Sequence, residues 1–391
     1  MNILHLTPYY APAYAFGGVV RSVEGMARAL ARRGHQVTVL TTDALDVQSR
    51  YSGQPEERID NVRVLHATNI SHRLRGRLNL STPGRMQALA RAVLPPVDVV
   101  HCHEFRTMEN LLVTPIAAEM SKPLVLSPHG TLAQTTGRSH MKMAWDKMLS
   151  PTVAQRFNHV VALTPQEADN ARALWETFGS ASSVPDFSVI PNGIDPDDYA
   201  DLNGRAYFRT RYRLGDGPVC LFMGRLHERK GVEVLIEAFK AARVEGARLV
   251  IAGPDEGMLD RIRPLLDDDI VLTGYLDGNE RLAAYAAADM FALPAVGEGL
   301  PMVVLEAMGA GLPVVISPGC YLPEVAQQGA GLIVEPECQP LSAALRLVLT
   351  DPAIRTRMGQ QGQQLIRNQF TWDAVALQLE KVYRSTLAFA E

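Results

Sequence analysis

Two glutamates, Glu298 and Glu306, lie eight positions apart, with a Gly-Leu-Pro segment between them. Pro301 suits the first position of a helix, because its missing N–H costs nothing there and its φ is already helical. The unpaired N–H groups that follow, with the helix dipole, favour an anion such as phosphate. Since carboxylates only accept hydrogen bonds, the two acids suit hydroxyl groups on the molecule that carries the anion. A sugar nucleotide has both features; an ordinary amphipathic helix with solvated acids is the alternative.

A second segment with phosphate-binding chemistry runs from Gly224 to Gly231 and contains Arg225 and Lys230. It leaves a predicted strand and enters a predicted helix, so both cations are expected at the carboxyl end of the strand, where open α/β sheets bind ligands. Arginine grips phosphate through two N–H groups, and lysine adds a mobile point charge. Such a loop is often only solvated, but together with the two glutamates it indicates a phosphate site.

The first half of the chain has weaker candidates. Gly17 and Gly18 follow the first predicted strand and open a helix, where glycine lets the backbone approach a phosphate, although a plain turn fits nearly as well. They lack the GxGxxG spacing of a dinucleotide site, which argues against a dehydrogenase. His129, in a Pro-His-Gly segment, ends a buried strand and is placed to face a ligand; a structural histidine is the alternative. His101 and His103 have only the spacing of a metal pair, and without a third ligand no zinc site is predicted.

Short β-branched runs alternate with helical patterns along the chain, which is typical of parallel α/β layers. In the first half the predicted strands are Ile3–Thr7, Gln36–Thr42, Val62–His66, Val97–Cys102, Leu124–Ser127, Val160–Leu163 and Ser188–Ile190. In the second half they are Val219–Met223, Arg248–Ala252, Ile270–Leu272, Met290–Leu293, Val314–Ile316 and Leu332–Val334. Val19–Arg32 is predicted as a helix, and a capping box of Thr164 and Glu167 predicts the start of another. Two similar halves joined near residue 195 are expected, closed by a helix that begins near Thr371.

Composition bounds the class of protein. A chain of 391 residues with 47% hydrophobic residues predicts two or three domains with substantial cores. The net charge of −4 gives no reason to expect a nucleic-acid partner. The four cysteines are scattered without metal-ligand spacing, so reduced thiols in a cytoplasmic protein are expected. Neither a signal peptide nor a run of about 20 apolar residues is found, so a soluble protein, at most attached to a membrane surface, is predicted.

One local asymmetry of charge favours an anionic partner. Between Asp60 and Asp98 the sequence has no acidic residue. The arginines of this stretch are Arg63, Arg73, Arg75, Arg77, Arg85 and Arg91. Lipid head groups or the phosphate of an acceptor would be attracted to such a stretch, and a solvated basic face is the alternative.

Together these motifs resemble the retaining glycosyltransferases of family four, which have the GT-B architecture. The resemblance spans nearly the whole chain and is carried, in the order of the family, by Gly17-Gly18, Pro128-His129-Gly130, Pro191-Asn192-Gly193-Ile194-Asp195, Gly224-Arg225 with Lys230-Gly231, and Glu298 with Glu306. The two glutamates and the Arg/Lys loop are its specific part. The family often has Gly-Phe-Gly after the first glutamate, where this chain has Gly299-Leu300-Pro301, which limits what the resemblance implies about the donor sugar.

The resemblance implies an α/β protein of two Rossmann-like domains with parallel sheets that face a cleft. Residues 1–194 would form the acceptor side, with a C-terminal helix at 373–391 packing back on it, and residues 195–372 would bind the nucleotide sugar. Arg225 and Lys230 would hold the donor diphosphate and Glu306 the ribose hydroxyls. Glu298 would contact the donor sugar or its phosphate, and His129 the sugar. The other residues expected at the donor are Gly17, Gly18, Tyr275, Leu276, Gly299, Leu300 and Pro301.

The activity implied is transfer of a hexosyl-type sugar from a UDP- or GDP-sugar to a saccharide or lipid-linked saccharide, as in the synthesis of cell-surface polysaccharide or glycolipid. No aspartate-rich metal motif or dedicated nucleophile is apparent in the sequence. A metal-independent reaction without further cofactor, by same-face attack guided by the leaving phosphate, is therefore expected. A nucleotide-sugar epimerase on the same scaffold and a non-catalytic nucleotide-sugar-binding subunit remain as alternatives.

Overall fold

The computed structural model describes residues 1–71, 73–75, 80–132, 139–178 and 184–388. The chain divides into two compact units. The first unit combines Met1–Asn192 with Trp372–Glu391, and the second unit is Gly193–Thr371. The domain boundaries expected after residues 194 and 372 lie within two residues of these divisions.

The first unit is built on a sheet of β1 (Asn2–Leu6), β2 (Gln36–Thr42), β3 (Glu56–Ile59), β4 (Val62–Asn69), β5 (Pro83–Gly84), β6 (Val99–His103), β7 (Leu124–Ser127), β8 (His159–Ala162) and β9 (Asp186–Val189). Its strand order is β3-β4-β2-β1-β6-β7-β8-β9, with β5 paired to β4. All neighbours are parallel except the pairs of β4 with β3 and with β5. From β4 to β8 this is the Rossmann order, whose topological switch point lies between β1 and β6.

Helices cover this sheet and bury its apolar strands. They are α1 (Gly18–Arg32), α2 (Met86–Val93), α3 (Met108–Glu119), α4 (Ser139–Met148), α5 (Ser150–Ala154) and α6 (Pro165–Glu176). One core cluster joins buried residues of β1, β2, β4, β6, β7 and β8 to the apolar faces of α2, α3, α5 and α6. The Thr107 side chain caps α3, and that of Thr164 caps α6, by accepting a backbone N–H of the first turn.

The second unit has a sheet of β10 (Val219–Met223), β11 (Arg248–Ala252), β12 (Ile270–Gly274), β13 (Met290–Leu293), β14 (Val314–Ile316) and β15 (Gly331–Ile333). Its order is β12-β11-β10-β13-β14-β15, and all its neighbours are parallel. Its helices are α7 (Arg205–Arg211), α8 (Val232–Ala242), α9 (Leu259–Ile262), α10 (Gly278–Ala287), α11 (Met302–Gly309), α12 (Glu324–Gln327), α13 (Cys338–Thr350) and α14 (Pro352–Gln369). This too is the Rossmann order, with the switch point between β10 and β13.

The last helix, α15 (Trp372–Ala388), returns to the first unit and packs on α1. The indole of Trp372 takes the place that a side chain at Gly25 would need, since a Cβ there would lie 2.0 Å from a ring carbon. Glu380 accepts hydrogen bonds from Arg33 and His35. Those bonds, with Arg33 the larger influence, outweigh burial and lower the pKa of Glu380 to about 2. The expected return of the C-terminal helix is therefore present over its described residues.

All thirteen predicted strands are present, with ends that differ by at most three residues. The sequence reading missed β3 and β5. The first is an edge strand of mostly charged residues, and the second is only two residues long. Pro301 was placed one position too far into its helix: it is the N-cap, with ψ of 116°, and α11 begins at Met302. Glu306 is therefore the fifth residue of α11, about one turn from its start.

The fold partly neutralises the arginine-rich stretch. Arg63 pairs with Glu56 at 2.7 Å, and Arg91 pairs with Glu119 at 3.5 Å. Both acids lie outside the stretch in sequence, which is why the sequence suggested a stronger basic field. Arg75 is buried and donates to the carbonyl of Ser49 at 3.0 Å. Of the remaining arginines, two are exposed and one lies outside the described residues: Arg73, Arg85 and, outside, Arg77.

The four thiols are free, with Cys102, Cys220 and Cys320 buried and Cys338 half-buried. Burial raises the pKa of the Cys320 thiol to about 11, so this side chain is a neutral core residue. Within the described ranges, each helix is too short or too polar to cross a bilayer.

Candidate functional site

In the second unit, the loops that follow β10 and β13 bring Lys230 and Glu298 together at the switch point of the sheet. The Nζ of Lys230 donates to Oε2 of Glu298 at 2.8 Å. The two side chains are 13% and 15% exposed, so the pair is largely shielded from water but still reachable. A cation and an acid that were predicted as parts of one site, 68 positions apart, are therefore in contact.

The loops meet because one position between them has no side chain. Gly231 has a φ of 69°, and a Cβ there would lie 2.2 Å from the carbonyl oxygen of Pro294. The N–H of Val296 donates to the carbonyl of Arg229 at 2.7 Å, which joins the two loops a second time. Lys230 is the last residue of a short 3-10 turn at this close approach, which fixes the backbone position from which its side chain extends.

Glu298 is ionised in this setting. Burial opposes its ionisation, but Lys230 together with Arg229 and Arg225 outweighs it and lowers the pKa of the carboxyl below its usual value. Arg225 itself forms an exposed ion pair with Glu256, with distances of 2.7 Å and 3.0 Å from Nη1 to the two carboxylate oxygens. Sequence reasoning did not include Glu256, which lies in the loop after β11, at the same edge of the sheet.

Glu306 lies deeper, and its partners were not predicted. It is 2% exposed, and its Oε2 accepts from Nη1 of Arg281 and from the hydroxyl of Tyr285, both at 2.7 Å. Burial opposes the charge of Arg281, but Glu306 outweighs it and raises the pKa of the guanidinium. Arg281 and Tyr285 are four positions apart on α10 and so share a helix face. That spacing was the one available signal, and it does not indicate which acid the pair would meet.

The remaining predicted residues of the second unit lie on the loops after β12 and β13. Leu300 is buried, and with Gly299 it leads into the N-cap Pro301. After β12, Tyr275 is 44% exposed whereas Leu276 is buried. The carbonyl of Gly274 accepts from the N–H of Gly253, which ties this loop to the one after β11.

In the first unit, the switch point between β1 and β6 is occupied by glycine and histidine. Gly17 is the N-cap of α1, with a φ of 97°, and Gly18 is its first helical residue. The helix therefore starts where the sequence predicted, with two unsubstituted positions at its N-terminus. His129 follows β7 and also has a positive φ, 55°, which is uncommon for a residue with a side chain.

His129 belongs to a chain of three buried imidazoles. Its Nε2 lies 2.9 Å from Nδ1 of His103, and Nε2 of His103 lies 2.8 Å from Nδ1 of His5. His5 is on β1 and His103 ends the neighbouring β6, so the chain follows adjacent strands of the sheet to the loop after β7. Sequence reasoning missed His5 because the fold alone brings it there, from 98 positions away.

His5 also provides the third nitrogen that the sequence did not identify beside His101 and His103. Ligand atoms of the three lie within 4.8 Å of one another. Two nitrogens on one zinc ion would be about 3.3 Å apart, however, whereas His5 and His103 are at the 2.8 Å of an N–H···N hydrogen bond. Both nitrogens of His101 are taken, by the hydroxyls of Tyr383 and Ser127. These rings therefore fit a hydrogen-bonded cluster better than a metal centre.

Glu167 supports the His129 turn instead of completing a capping box. The Thr164 hydroxyl accepts from the N–H of Glu167 as predicted. The carboxylate, in contrast, accepts from the N–H of Leu163 at 2.7 Å and from the N–H of Gly130, not from that of Thr164. Its reach extends to Gly130 because the loop after β7 lies beside the start of α6. The prediction of a capping box was therefore wrong in its second half.

Comparisons with known proteins place the chain in a family. Residues 16–198 match the family described as "Glycosyltransferase Family 4", and residues 207–365 match "Glycosyl transferases group 1". D-inositol 3-phosphate glycosyltransferase of Kineococcus radiotolerans is 30% identical, over 97% of this chain and 93% of that protein. GDP-mannose-dependent alpha-(1-6)-phosphatidylinositol monomannoside mannosyltransferase of Mycobacterium tuberculosis is 27% identical, over 74% of this chain and 80% of that protein.

Solved structures confirm the fold class. Sucrose-phosphate synthase from Thermosynechococcus elongatus superposes with a TM-score of 0.77 at 21% identity, over 100% of both chains. The Anabaena protein HepE, solved in complex with UDP-glucose, superposes with a TM-score of 0.73 at 20% identity, over 98% of this chain and 100% of that chain. The two Rossmann-like units are thus those of a GT-B fold, as the sequence predicted.

Proposed function

Because the chain belongs to the glycosyltransferases of family four (group 1), we propose that it moves a hexosyl-type sugar from a nucleoside-diphosphate sugar to a saccharide acceptor, with retention of anomeric configuration. The observation that carries the proposal is the Lys230–Glu298 pair at the switch point of the second unit. Open α/β sheets bind ligands at this place, and the pair combines a cation for phosphate with a carboxylate for hydroxyls.

Lys230 and Arg225 act on the leaving diphosphate. Breaking the sugar–phosphate bond places negative charge on the phosphate oxygens, which a preorganised cation stabilises. Arg225 reaches the diphosphate by exchanging the exposed carboxylate of Glu256 for a phosphate oxygen. The N–H groups at the start of α11 add a further anion-binding element.

The carboxylates bind the sugar portions of the donor. Glu306, held by Arg281 and Tyr285, accepts from the ribose hydroxyls. Glu298 contacts the transferred sugar or its phosphate, while the residues Gly299, Leu300 and Pro301 shape that pocket. Tyr275 and Leu276 lie at the nucleobase.

The first unit contributes His129 to the sugar and the backbone of Gly17 and Gly18 to the phosphates. In the bond-forming step, the acceptor hydroxyl attacks C1 on the face that the diphosphate leaves. The C1–O electron pair departs with the phosphate, which takes the acceptor proton. The reaction needs neither a covalent enzyme intermediate nor a resident metal or cofactor.

The donor is a UDP- or GDP-sugar, and the acceptor is a saccharide or a lipid-linked saccharide. One structure of the Anabaena protein holds UDP-glucose, and the mycobacterial relative is named for GDP-mannose and a phosphatidylinositol glycolipid, which supports this range. We propose a cytoplasmic enzyme that works on glycolipid or cell-surface polysaccharide, with peripheral membrane contact through the two exposed arginines of the basic stretch, Arg73 and Arg85.

The experiment that tests the function has two stages. A thermal-shift panel of UDP, GDP, ADP and their glucose and mannose conjugates identifies the donor, since a ligand at 100 times its Kd stabilises a protein by about 2.7 kcal/mol. NMR time courses then follow that donor alone and with inositol phosphate, phosphatidylinositol and oligosaccharide acceptors. Transfer to an acceptor with the donor's anomeric configuration supports the proposal. Free sugar or an epimer from the donor alone indicates an epimerase, and stabilisation without turnover indicates a binding subunit.

Membrane contact is tested separately, by sedimentation with anionic phospholipid vesicles. Replacing both exposed arginines, Arg73→Glu with Arg85→Glu, is expected to weaken binding by about 1 kcal/mol for each charge removed. Arg172→Glu changes an exposed arginine of α6 and serves as the control. Unchanged sedimentation of the double variant would exclude the proposed contact.

A further inference from the structure

The chain His5–His103–His129 restricts which nitrogen of His129 carries its proton. In a neutral imidazole one nitrogen donates and the other accepts. The contacts of 2.8 Å and 2.9 Å are too short for two facing lone pairs, so each must contain one N–H. Three neutral rings in series then have two arrangements, with all protons on Nδ1 or all on Nε2.

The ends of the chain decide between these arrangements. Nε2 of His5 and Nδ1 of His129 are both buried and have no hydrogen-bond partner among the described residues. With all protons on Nε2, an N–H of His5 would be orphaned in the core, where no ligand reaches it. With all protons on Nδ1, the core end has only a lone pair, and the unpaired N–H lies on His129, which follows β7 at the carboxyl edge of the sheet and is 9% exposed, whereas His5 is 0% exposed. Each arrangement leaves one unpaired N–H, and that N–H costs more on the fully buried His5 than on His129, which favours protons on Nδ1.

We propose that His103, backed by His5, is a positioning residue that holds His129 as the Nδ1–H tautomer, so that His129 offers a neutral N–H donor to an oxygen of the sugar donor. This rests on the proposed function for the identity of the ligand, but the tautomer follows from the chain alone. The hydrogen bond made by one ring nitrogen commonly decides whether the other ring nitrogen carries the proton. The two strands that carry His5 and His103 are central in the sheet, which makes the support rigid.

Burial keeps these three rings neutral, and only neutral rings are restricted to the two proton arrangements. It lowers the pKa of His5 to about 3, with a smaller contribution from His129, and lowers that of His129 to about 4. The pKa of His103 is also well below its usual value, first through burial and then through the neighbouring histidines, including His101. The ring of His101 lies against His103 but has its own partners, so it is not part of the chain.

The direct test is the 15N NMR spectrum of histidine-labelled protein at pH 7.5, which distinguishes Nδ1–H, Nε2–H and cationic imidazoles. The His129 signals are identified by their loss in His129→Asn. We expect Nδ1–H for His129, His103 and His5, although free histidine favours Nε2–H. An Nε2–H or cationic His129 in the native protein would overturn the proposal, and this reading needs no variant at the supporting positions.

Variants of His103 then separate positioning from packing. In His103→Leu the Nε2 of His129 loses its donor, and we expect His129 to move to the Nε2–H tautomer. In His103→Asn an amide N–H takes the place of the Nδ1–H, so the native tautomer should return. His159→Leu is the matched control, because His159 is a buried histidine of β8 that bonds to Ser188 instead. Identical His129 spectra in the Leu and Asn variants would mean that His103 only fills space.

Kinetics connect the tautomer to the reaction. With the donor found above, we expect kcat to fall about tenfold in His103→Leu and to recover in His103→Asn, with a smaller change in KM. If the protein turns out not to use a sugar nucleotide, the NMR result still decides the tautomer of His129. Failure of the proposed function and failure of the tautomer proposal are therefore distinguishable. Metal analysis of the purified protein completes the test. Stoichiometric zinc in the native protein that is lost in His103→Leu would mean that the histidines form a metal site, and it would overturn the proposal.

Discussion

The switch points of the two units lie at equivalent places of the same strand order, between β1 and β6 in one and between β10 and β13 in the other. In the first unit this region is lined by buried neutral imidazoles, led by His5 and His103. In the second unit it holds a shielded ion pair of Lys230 and Glu298, with an exposed Arg225 nearby. One backbone arrangement thus supports a region of neutral hydrogen-bond donors and a region of fixed charge.

Under the function proposed above, each region suits a different part of a sugar nucleotide. A diphosphate needs cations, and the second unit presents Lys230 and Arg225 at its switch point. A neutral imidazole N–H suits a sugar hydroxyl or ring oxygen, which accepts a hydrogen bond without carrying a charge. The same strand order therefore carries different chemistry through a few side chains on its strands and loops.

The largest effect is expected from breaking the buried pair that holds Glu306. Arg281→Met removes the charge at similar volume and leaves a buried carboxylate without its cation, so the free energy of unfolding should fall by about 3–5 kcal/mol. Calorimetry and hydrogen exchange would localise the loss to the second unit. Arg261→Met, which removes an exposed ion pair with Glu233, is the control and should cost less than about 1 kcal/mol. Equal losses in both variants would mean that Glu306 does not depend on Arg281.

The charged region itself is tested by Lys230→Met. If Lys230 stabilises the leaving diphosphate, kcat should fall about 100- to 1,000-fold, as for other preorganised groups that meet developing negative charge. Lys240→Met is matched in chemistry, because Lys240 forms an exposed pair with Asp267 on the same unit. Initial rates with saturating donor give the comparison. A Lys230→Met enzyme within threefold of the native rate would show that Lys230 does not stabilise the leaving diphosphate.

The neutral region predicts selective sensitivity of the first unit to acid. His5, His101, His103 and His129 have pKa values lowered by burial, so the unfolded chain, with pKa near 6.5, binds more protons than the folded one. Their contribution to stability is complete above pH 6.5 and falls as the pH drops, by about 1.4 kcal/mol per pH unit for each ring. Glu109 opposes this, because burial raises its pKa to about 7. We expect a net loss of about 3 kcal/mol between pH 7.5 and 5.5.

Hydrogen-exchange mass spectrometry at the two pH values, corrected for intrinsic exchange rates, would resolve the units. Burial also raises the pKa values of Glu24 and Glu167. These two acids, like Glu109, therefore oppose the loss of stability at low pH. In the second unit, Glu298 has a lowered pKa, so its contribution changes only below about pH 4.5. Equal acid sensitivity in the two units would contradict the assignment of neutral and charged regions.

The smallest effect concerns the turn that presents His129. Glu167→Ala leaves the N–H groups of Gly130 and Leu163 without their acceptor, and we expect a loss of about 1–3 kcal/mol in chemical denaturation. Glu176→Ala, at an exposed position of the same helix, should change stability by less than about 0.5 kcal/mol. If the two variants unfold at the same denaturant concentration, the turn is held by other contacts.

The strands, the two halves and the charged site could be predicted because their signals are local. About ten residues are enough to recognise a β-branched run, a Gly-bounded loop or a Pro before a helix. The Lys230–Glu298 contact followed from the rule that parallel strands end at one edge of their sheet, which makes loops distant in sequence neighbours in space.

The supporting contacts could not be predicted because each joins elements that only the folded chain brings together. His5 meets His103 across adjacent strands, and Arg281 meets Glu306 from another helix. Glu167 had the spacing of a capping box, yet its carboxylate found Gly130 and Leu163 instead. A periodicity or a motif can identify a candidate site residue, but tertiary packing selects the partner that orients it.

The return of α15 to the first unit makes the second unit an insertion within the first. During synthesis about 180 residues separate Asn192 from Trp372, so at usual translation rates about 10–40 s pass before the last helix of the first unit emerges. Over that interval the surface of α1 at Gly25 lacks the indole that covers it, and His101 lacks the hydroxyl of Tyr383. The second unit is therefore synthesised as one contiguous segment that can fold first, whereas the first unit stays incomplete until α15 has been synthesised.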